Sequence, residues 1–224
     1  MTWIGLGVLR VLGVFAILAA EGVLLAACGA AQRAEGGRCP ARDVVVQVDA
    51  EAAALGACRE MGRLAIGPSF ALRSLAGLER LERAGAIDVS DNVDLGGLFL
   101  PALVAVDRDL VIDDNRQVAT VSLHNLVEVG RDLVVRDNRA LLRLDLGALR
   151  RVGGRLEISG HAALDTVVLD RLESAGELVL DDNPAWPAAE VDAVKRKARE
   201  PSPPSAGSAR RTMSWPCCVL TQRC

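Results

Sequence analysis

Side chains that could bind a metal ion or transfer a proton recur in this 224-residue chain at a spacing of about 23 residues. The recurring residues are Asp91-Asn92, Asp114-Asn115, Asp137-Asn138, His161 and Asp182-Asn183. Stacked carboxylates could share a cation such as calcium, and an imidazole could ligate a metal or act as a base. Amide groups could instead bond to the backbone, so what these residues do depends on the elements that position them.

The elements follow from an apolar repeat that runs in the same register. Its first strand positions are Leu64, Ile87, Leu110, Leu133, Leu156 and Leu178. Each unit holds two short stretches that alternate apolar and polar residues, which is typical of strands, and the remainder steps by three residues, too tightly for a sustained helix. We therefore predict a mainly β fold, a solenoid of about six coils of 22–23 residues with a short capping helix at its C-terminal end.

This architecture assigns structural roles to the candidate chemical residues. Inside a corner, the amides of Asn92, Asn115, Asn138 and Asn183 would satisfy backbone groups and bond one another as a ladder. His161 would take the same place with a ring nitrogen, and its alternative role is that of a catalyst or metal ligand.

A candidate surface ladder stands beside the amides. It comprises Asp91, Asp114, Asp137, Arg116 and Arg139. Aspartate is a common turn residue, and the two arginines in the same corners offer countercharges. Calcium remains the alternative, but the corners lack the dense oxygen ligands that it needs. We expect no metal site, no cofactor and no catalytic residue.

The N-terminal segment has the layout of an export signal. An apolar run from Val11 to Ala20 follows Arg10, and Leu25-Ala26-Ala27-Cys28 resembles the lipobox of bacterial lipoproteins. The resemblance implies a signal peptide over 1–27 and lipidation of Cys28, and Gly29 after the lipid site favours the outer membrane of a Gram-negative bacterium. Residues 28–38 are predicted to be a flexible tether, because the segment is small and polar without periodicity. An uncleaved transmembrane anchor is the alternative, in which Glu21 would be costly.

The next segment and the repeat together resemble the receptor L-domain family, a leucine-rich-repeat-like right-handed β-helix. The resemblance covers 39–199 and begins with Cys39-Pro40, the strand "DVVVQV" and "LGAC" ending at Cys58. It implies a Cys39–Cys58 disulfide. Its closing "NP" motif, Asn183-Pro184, precedes a helix in which Val191, Val194 and Ala198 share a face.

Residues 200–224 are predicted to be a disordered, cysteine-containing tail, because "PSPPSAGSARRT" is small, polar and rich in proline. The tail carries Cys217, Cys218 and Cys224. One pair could form among these three, which leaves one thiol free or intermolecular. The formal net charge of −3 gives no basic footprint, so nucleic acid is not an expected partner.

Three functions remain open at this stage. The first is a lipid-anchored cell-envelope module, without enzymatic activity, that binds a protein or a glycan. The second is a passive structural lipoprotein, and the third is a polysaccharide-acting enzyme on a β-helix. The outward positions of the second strand in successive coils hold Gly97 and Phe99, Thr120 and Ser122, Arg143 and Asp145, then Thr166 and Val168. They stack neither two carboxylates nor an acid with a histidine, which argues against the enzyme.

A binding code could also lie in the outward letters of the repeated octapeptides "RDLVIDDN" and "RDLVVRDN". The letters that the core and the corners leave unassigned are Arg108, Asp109, Arg131, Asp132, Asp114, Asp137 and the exchange of Asp113 for Arg136.

Overall fold

A computed structural model describes residue 39 and residues 43–199. Thirteen strands and two helices make up this part of the chain, and every strand pairing within it is parallel. The parallel coils stack into a β-solenoid of about six turns, which confirms the predicted fold class.

Two sheets run along the solenoid. Sheet 1 contains β1 (Val44–Val46), β2 (Glu60–Ile66), β3 (Arg83–Ser90), β5 (Ala105–Val106), β6 (Leu110–Asp113), β8 (Glu128–Val129), β9 (Leu133–Arg136), β11 (Arg151–Ser159) and β13 (Ser174–Asp181). Sheet 2 contains β4 (Gly97–Phe99), β7 (Thr120–Ser122), β10 (Arg143–Asp145) and β12 (Thr166–Val168). The helices are α1 (Asp49–Ala54) and α2 (Ala188–Arg199).

The strand register is the one that the apolar repeat predicts. Leu64 pairs with Ile87, Ile87 with Leu110, and the column continues through Leu133, Leu156 and Leu178. The first five members of this column are almost completely buried. Alternate residues face outward, as the pleat of a strand requires. The core is a stack of thin layers of Leu, Val and Ile, because each coil contributes the same inward positions.

Sheet 1 contains an irregularity that the apolar repeat conceals. Three residue steps separate the inward Ala84 from Ile87, but four separate Val106 from Leu110. The spacing of 23 between Ile87 and Leu110 is kept because the preceding part of the coil is one residue shorter. The extra residue bulges outward, and it interrupts the strand between β5 and β6 and again between β8 and β9.

The N-terminal end is closed by α1 and a disulfide. Cys39 and Cys58 are bonded, with their Cα atoms 5.3 Å apart. The Asp49 carboxylate accepts the backbone N–H groups of Arg73 and Ser74 at 2.8 and 3.0 Å, and these bonds lower the pKa of Asp49. Gly77 has a φ of 112° and lies against the backbone of Ala52, where a side chain would overlap the helix. The helix α1 therefore forms the N-terminal cap, and Gly77 leaves room for it to pack.

The C-terminal end carries the predicted helix. Val191 and Val194 of α2 pack against the core, and Trp186 just before the helix is buried. The Trp186 indole N–H donates to Glu190 at 3.2 Å, and Lys197 donates to the Asp170 carbonyl in the loop after β12. The helix thus lies across the open end of the last coil.

Candidate functional site

The aspartates of the candidate surface ladder, together with Asp182 in the last coil, occupy left-handed corners of the backbone. Asp91, Asp114, Asp137 and Asp182 have φ angles of 58°, 43°, 55° and 54°, and Gly160 has 74° at the equivalent place before His161. Asp and Gly are among the residues that tolerate this left-handed region. All four aspartates are exposed. Their recurrence therefore follows from the turn, without any need for a ligand.

The neighbouring asparagines face the opposite way: Asn92, Asn115 and Asn138 are completely buried, and Asn183 in the last coil is partly buried. The Asn115 amide nitrogen donates to the carbonyl of Val89 at 2.9 Å, to that of Asp113 at 3.0 Å and to Asn138 Oδ1 at 3.0 Å. Asn115 Oδ1 accepts both the backbone and the side-chain N–H of Asn92. Each amide thus closes its own corner and joins two coils, so these side chains are committed to the fold.

The ladder changes at its N-terminal end. In the first coil the equivalent position is Ser69, whose hydroxyl donates to the Gln47 carbonyl at 2.5 Å and accepts the N–H groups of Ala71 and Leu72. The Ser69 N–H bonds to the Asp91 carbonyl rather than to the amide of Asn92. Within the described residues, Asn92 Oδ1 is the only buried side-chain polar atom without a hydrogen-bond partner.

His161 continues the ladder in the fifth coil. Its Nε2 is 3.1 Å from the Val135 carbonyl, and its Nδ1 is 3.3 Å from the Asn138 backbone nitrogen. A neutral ring with the proton on Nε2 satisfies both contacts, because Nδ1 then accepts the Asn138 N–H. Burial lowers the pKa of His161. At the last rung, Asn183 accepts the His161 N–H at 3.2 Å. The imidazole is held as an uncharged structural group.

The Arg-Asp dipeptides that begin the two octapeptides, Arg108-Asp109 and Arg131-Asp132, lie in the bulge of sheet 1. Asp132 Oδ1 accepts the backbone N–H of Arg155 at 2.8 Å, and Asp109 Oδ1 accepts that of Asp132 at 3.4 Å. Gly154 lies where a side chain would overlap the Asp132 carboxylate. Arg131 is 3.5 Å from Asp109. These carboxylates replace strand partners that the bulge removes, so most of the unassigned letters also serve the architecture.

Ion pairs between coils cover the outer face of sheet 1. Asp113 and Arg136 occupy the same position in the two octapeptides. The Arg136 guanidinium is 2.6 Å from the Asp113 carboxylate, and this bond raises the pKa of Arg136. Further pairs between coils are Arg59–Glu82, Arg63–Asp88, Arg83–Asp107, Arg150–Glu173, Arg151–Glu128 and Arg155–Glu177. These side chains are partly or fully exposed, so solvent screens each pair and none contributes much to the stability of the fold. Arg116 and Arg139 are exposed and have no ion-pair partner in the part of the chain that the structure describes.

The outer face of sheet 2 has a different composition. Phe99, 53% exposed, projects from the first strand, and its ring lies over Gly97, where a side chain would clash with it. The hydroxyl residues Thr120, Ser122 and Thr166 follow along the sheet. The ion pair that the structure records on this face, Arg143–Asp145 at 3.5 Å, lies within a single strand. Sheet 2 therefore presents polar groups and an aromatic ring that bonds between coils do not cover.

A serine–histidine contact on this face is not apparent from the column pattern. Ser122 Oγ is 3.2 Å from His124 Nδ1, and both are on the surface. A nucleophile and base need such a distance, but also a group that orients the base and a pocket that excludes water. Asp145 lies opposite Ser122 on the neighbouring strand, but its carboxylate accepts hydrogen bonds from Gly147 and Arg143 rather than orienting His124. This contact could not be predicted from the repeat, because it depends on the positions of the two side chains. The only indication in the sequence was a serine and a histidine two residues apart at the end of a strand.

The architecture and the surfaces define a parallel β-solenoid with a corner ladder of asparagines. Comparison of the chain with protein-family models, curated proteins and solved structures finds no match. Over residue 39 and residues 43–199, no group of three or more His, Cys, Asp or Glu side chains is placed to hold a metal ion. None of the helices in this range is long and apolar enough to cross a membrane. Cys28 and the tail cysteines lie outside the described residues.

Proposed function

We propose that the protein is a lipid-anchored module of the cell envelope that binds a protein or glycan through the outer face of sheet 2. The observation that carries the proposal is the exposure of Phe99 on that face. Aromatic residues make up only 3% of the chain, yet the Phe99 ring lies on the surface beside hydroxyl groups. Exposed aromatic side chains beside polar groups are typical anchors of binding surfaces.

The proposed location rests on the N-terminal sequence and the disulfide. The lipobox-like segment ends at Cys28, and ten residues separate Cys28 from Cys39, where the described fold begins. A Cys39–Cys58 disulfide suits an oxidising compartment outside the cytoplasm. We infer attachment to the outer membrane of a Gram-negative bacterium, and we assign the solenoid to the receptor L-domain type by its resemblance in sequence.

Binding without catalysis is the function that the side chains favour. The buried amides and His161 are bonded to the backbone, and the bulge carboxylates accept backbone N–H groups. The Ser122–His124 contact stands on an open surface. A passive structural lipoprotein is the second candidate, and it requires no exposed binding surface.

Metabolic labelling with palmitate tests the anchor. The full chain should take up label, and Cys28→Ser should abolish it, whereas Cys224→Ser, which removes a cysteine at the other end of the sequence, should keep it. Labelling that persists in Cys28→Ser would overturn the proposed anchor.

Recovery of envelope components on the immobilised full chain in detergent tests the binding face. Phe99→Ser should lower recovery of a specific protein or glycan at least about tenfold, the usual effect of losing a central aromatic anchor. Phe70→Ser is the matched control, because Phe70 is 82% exposed but lies outside sheet 2. Equal recovery by all three proteins would remove sheet 2 as the binding face, and recovery of nothing would favour the passive lipoprotein.

A further inference from the structure

A groove at the C-terminal end of the solenoid is separate from the face of sheet 2. It lies between the corner of the last coil and α2 and has a volume of about 610 Å³. Its walls combine apolar and acidic side chains, chiefly Leu180, Pro184, Trp186, Val191, Asp182 and Asp192. Such a groove suits a side chain with an apolar stem and a cationic head.

The carboxylates of the groove are not neutralised within it. Lys195 is 4.0 Å from Asp181 and accounts for one charge. Asp182 and Asp192 are exposed, and neither has an ion-pair partner among the side chains of residues 43–197. Two negative charges therefore stand beside an apolar floor.

The sequence that follows α2 has the complementary charge. It begins with Glu200, and between positions 201 and 224 it contains Arg210, Arg211 and Arg223 and no further Asp or Glu. An arginine guanidinium pairs with carboxylates through two parallel hydrogen bonds, and its methylene stem packs on apolar groups. Arg210 and Arg211 thus match both features of the groove.

The length of this segment also fits. As twelve residues of helix, α2 is about 18 Å long. The groove runs along α2 as far as Lys195, and Asp192 stands seven residues before Arg199, about 10 Å along the helix. The eleven steps from Arg199 to Arg210 span at most about 36 Å, which exceeds this distance. A short tether that can reach its site raises the effective concentration of the arginines at the groove to the order of millimolar.

We propose that the groove binds the protein's own C-terminal segment through Arg210 and Arg211. The bound segment lies beside α2 as a second cap, and the two together shield the end of the last coil from other chains. The inference is independent of the ligand and of the lipid anchor proposed above.

Limited trypsin digestion of the full chain in detergent tests the docking, because trypsin cleaves after arginine. The rate of cleavage after Arg210 and Arg211 is measured relative to that of a synthetic peptide of residues 201–224 in the same buffer. At low ionic strength we expect about fivefold or greater protection in the wild-type chain, and its loss at about 1 M salt, where the Debye length is near 3 Å.

Two double variants separate the groove from general charge. Asp182→Asn with Asp192→Asn should abolish the protection, whereas Asp91→Asn with Asp114→Asn makes the same charge change at distant exposed corners and should preserve it. Thermal melting shows whether each variant remains folded. Equal cleavage of wild type and groove variant, or protection that rises with protein concentration, would overturn the proposal, since the latter indicates binding to a second copy.

Discussion

Two columns of side chains meet at one corner of the solenoid, one residue apart in sequence, and their environments are opposite. Asn92, Asn115 and Asn138 are fully buried and bonded in a ladder, whereas the aspartates that precede them are exposed at left-handed turns. Both columns recur at 23 residues and both contain groups that could bind a metal. Regular recurrence of a chemically capable residue therefore does not distinguish a structural role from a functional one.

The difference arises from what each side chain replaces. The buried amide supplies hydrogen bonds that the turning backbone has lost, and without it several buried polar groups would be orphaned. The exposed aspartate supplies mainly tolerance of an unusual φ angle, and water solvates its carboxylate. Substitutions within the two columns should therefore have very different effects.

Removing an inner amide should have the largest effect. Asn115→Leu removes the side-chain donor of the Val89 carbonyl and the acceptor of the Asn92 backbone N–H, both of which are buried, whereas the Asp113 carbonyl keeps the N–H of Asp91. With about 1–3 kcal/mol for each buried unsatisfied group, we expect a loss of at least about 3 kcal/mol in the free energy of unfolding. Urea denaturation followed by circular dichroism measures it. A loss below about 1 kcal/mol would show that the ladder is dispensable.

Acidification should reveal the one titratable member of the inner column. Burial keeps the pKa of His161 below its ordinary value of 6.5, so below about pH 6.5 the unfolded chain binds a proton that the folded chain does not. The stabilising contribution is complete above that pH and decreases as the pH falls. Relative to His161→Asn, the wild type should lose up to about 2 kcal/mol between pH 8 and pH 5. Parallel stability profiles of the two proteins would contradict this assignment.

The two columns also differ in how far the sequence could predict them. The apolar repeat predicted the register from Leu64 to Leu178, because a buried column must be apolar in every coil. It could not show the bulge before Leu110, since the residue added there compensates for one lost earlier in the coil. The Ser122–His124 contact depends on side-chain conformations that periodicity does not encode. The turn role of the aspartates did have a signal, because Gly160 replaces one of them.

Restoring the outer column at Gly160 should have a smaller effect. An added Cβ would be 2.5 Å from Asp137 Oδ1, so the exposed Asp137 carboxylate would have to move. We expect Gly160→Asp to lower the free energy of unfolding by about 1 kcal/mol, through strain at positive φ and repulsion from Asp137. Gly160→Asn has the same shape without the charge. The difference between the two variants, measured by urea denaturation, should shrink in 1 M salt; a difference unaffected by salt would exclude repulsion.

The smallest effect is expected for an aspartate of the outer column itself. Asp114→Asn keeps a residue type that tolerates the φ of 43°, and the exposed side chain should change the free energy of unfolding by less than about 0.5 kcal/mol. Calcium at millimolar concentration should leave the melting temperature of wild type and variant within about 1 °C, because a calcium site needs six to eight oxygen ligands and each corner contributes a single aspartate to the column. A calcium-dependent rise in the wild type that Asp114→Asn abolishes would make the outer column a binding site after all, and it would place function one residue away from the ladder that holds the coils together.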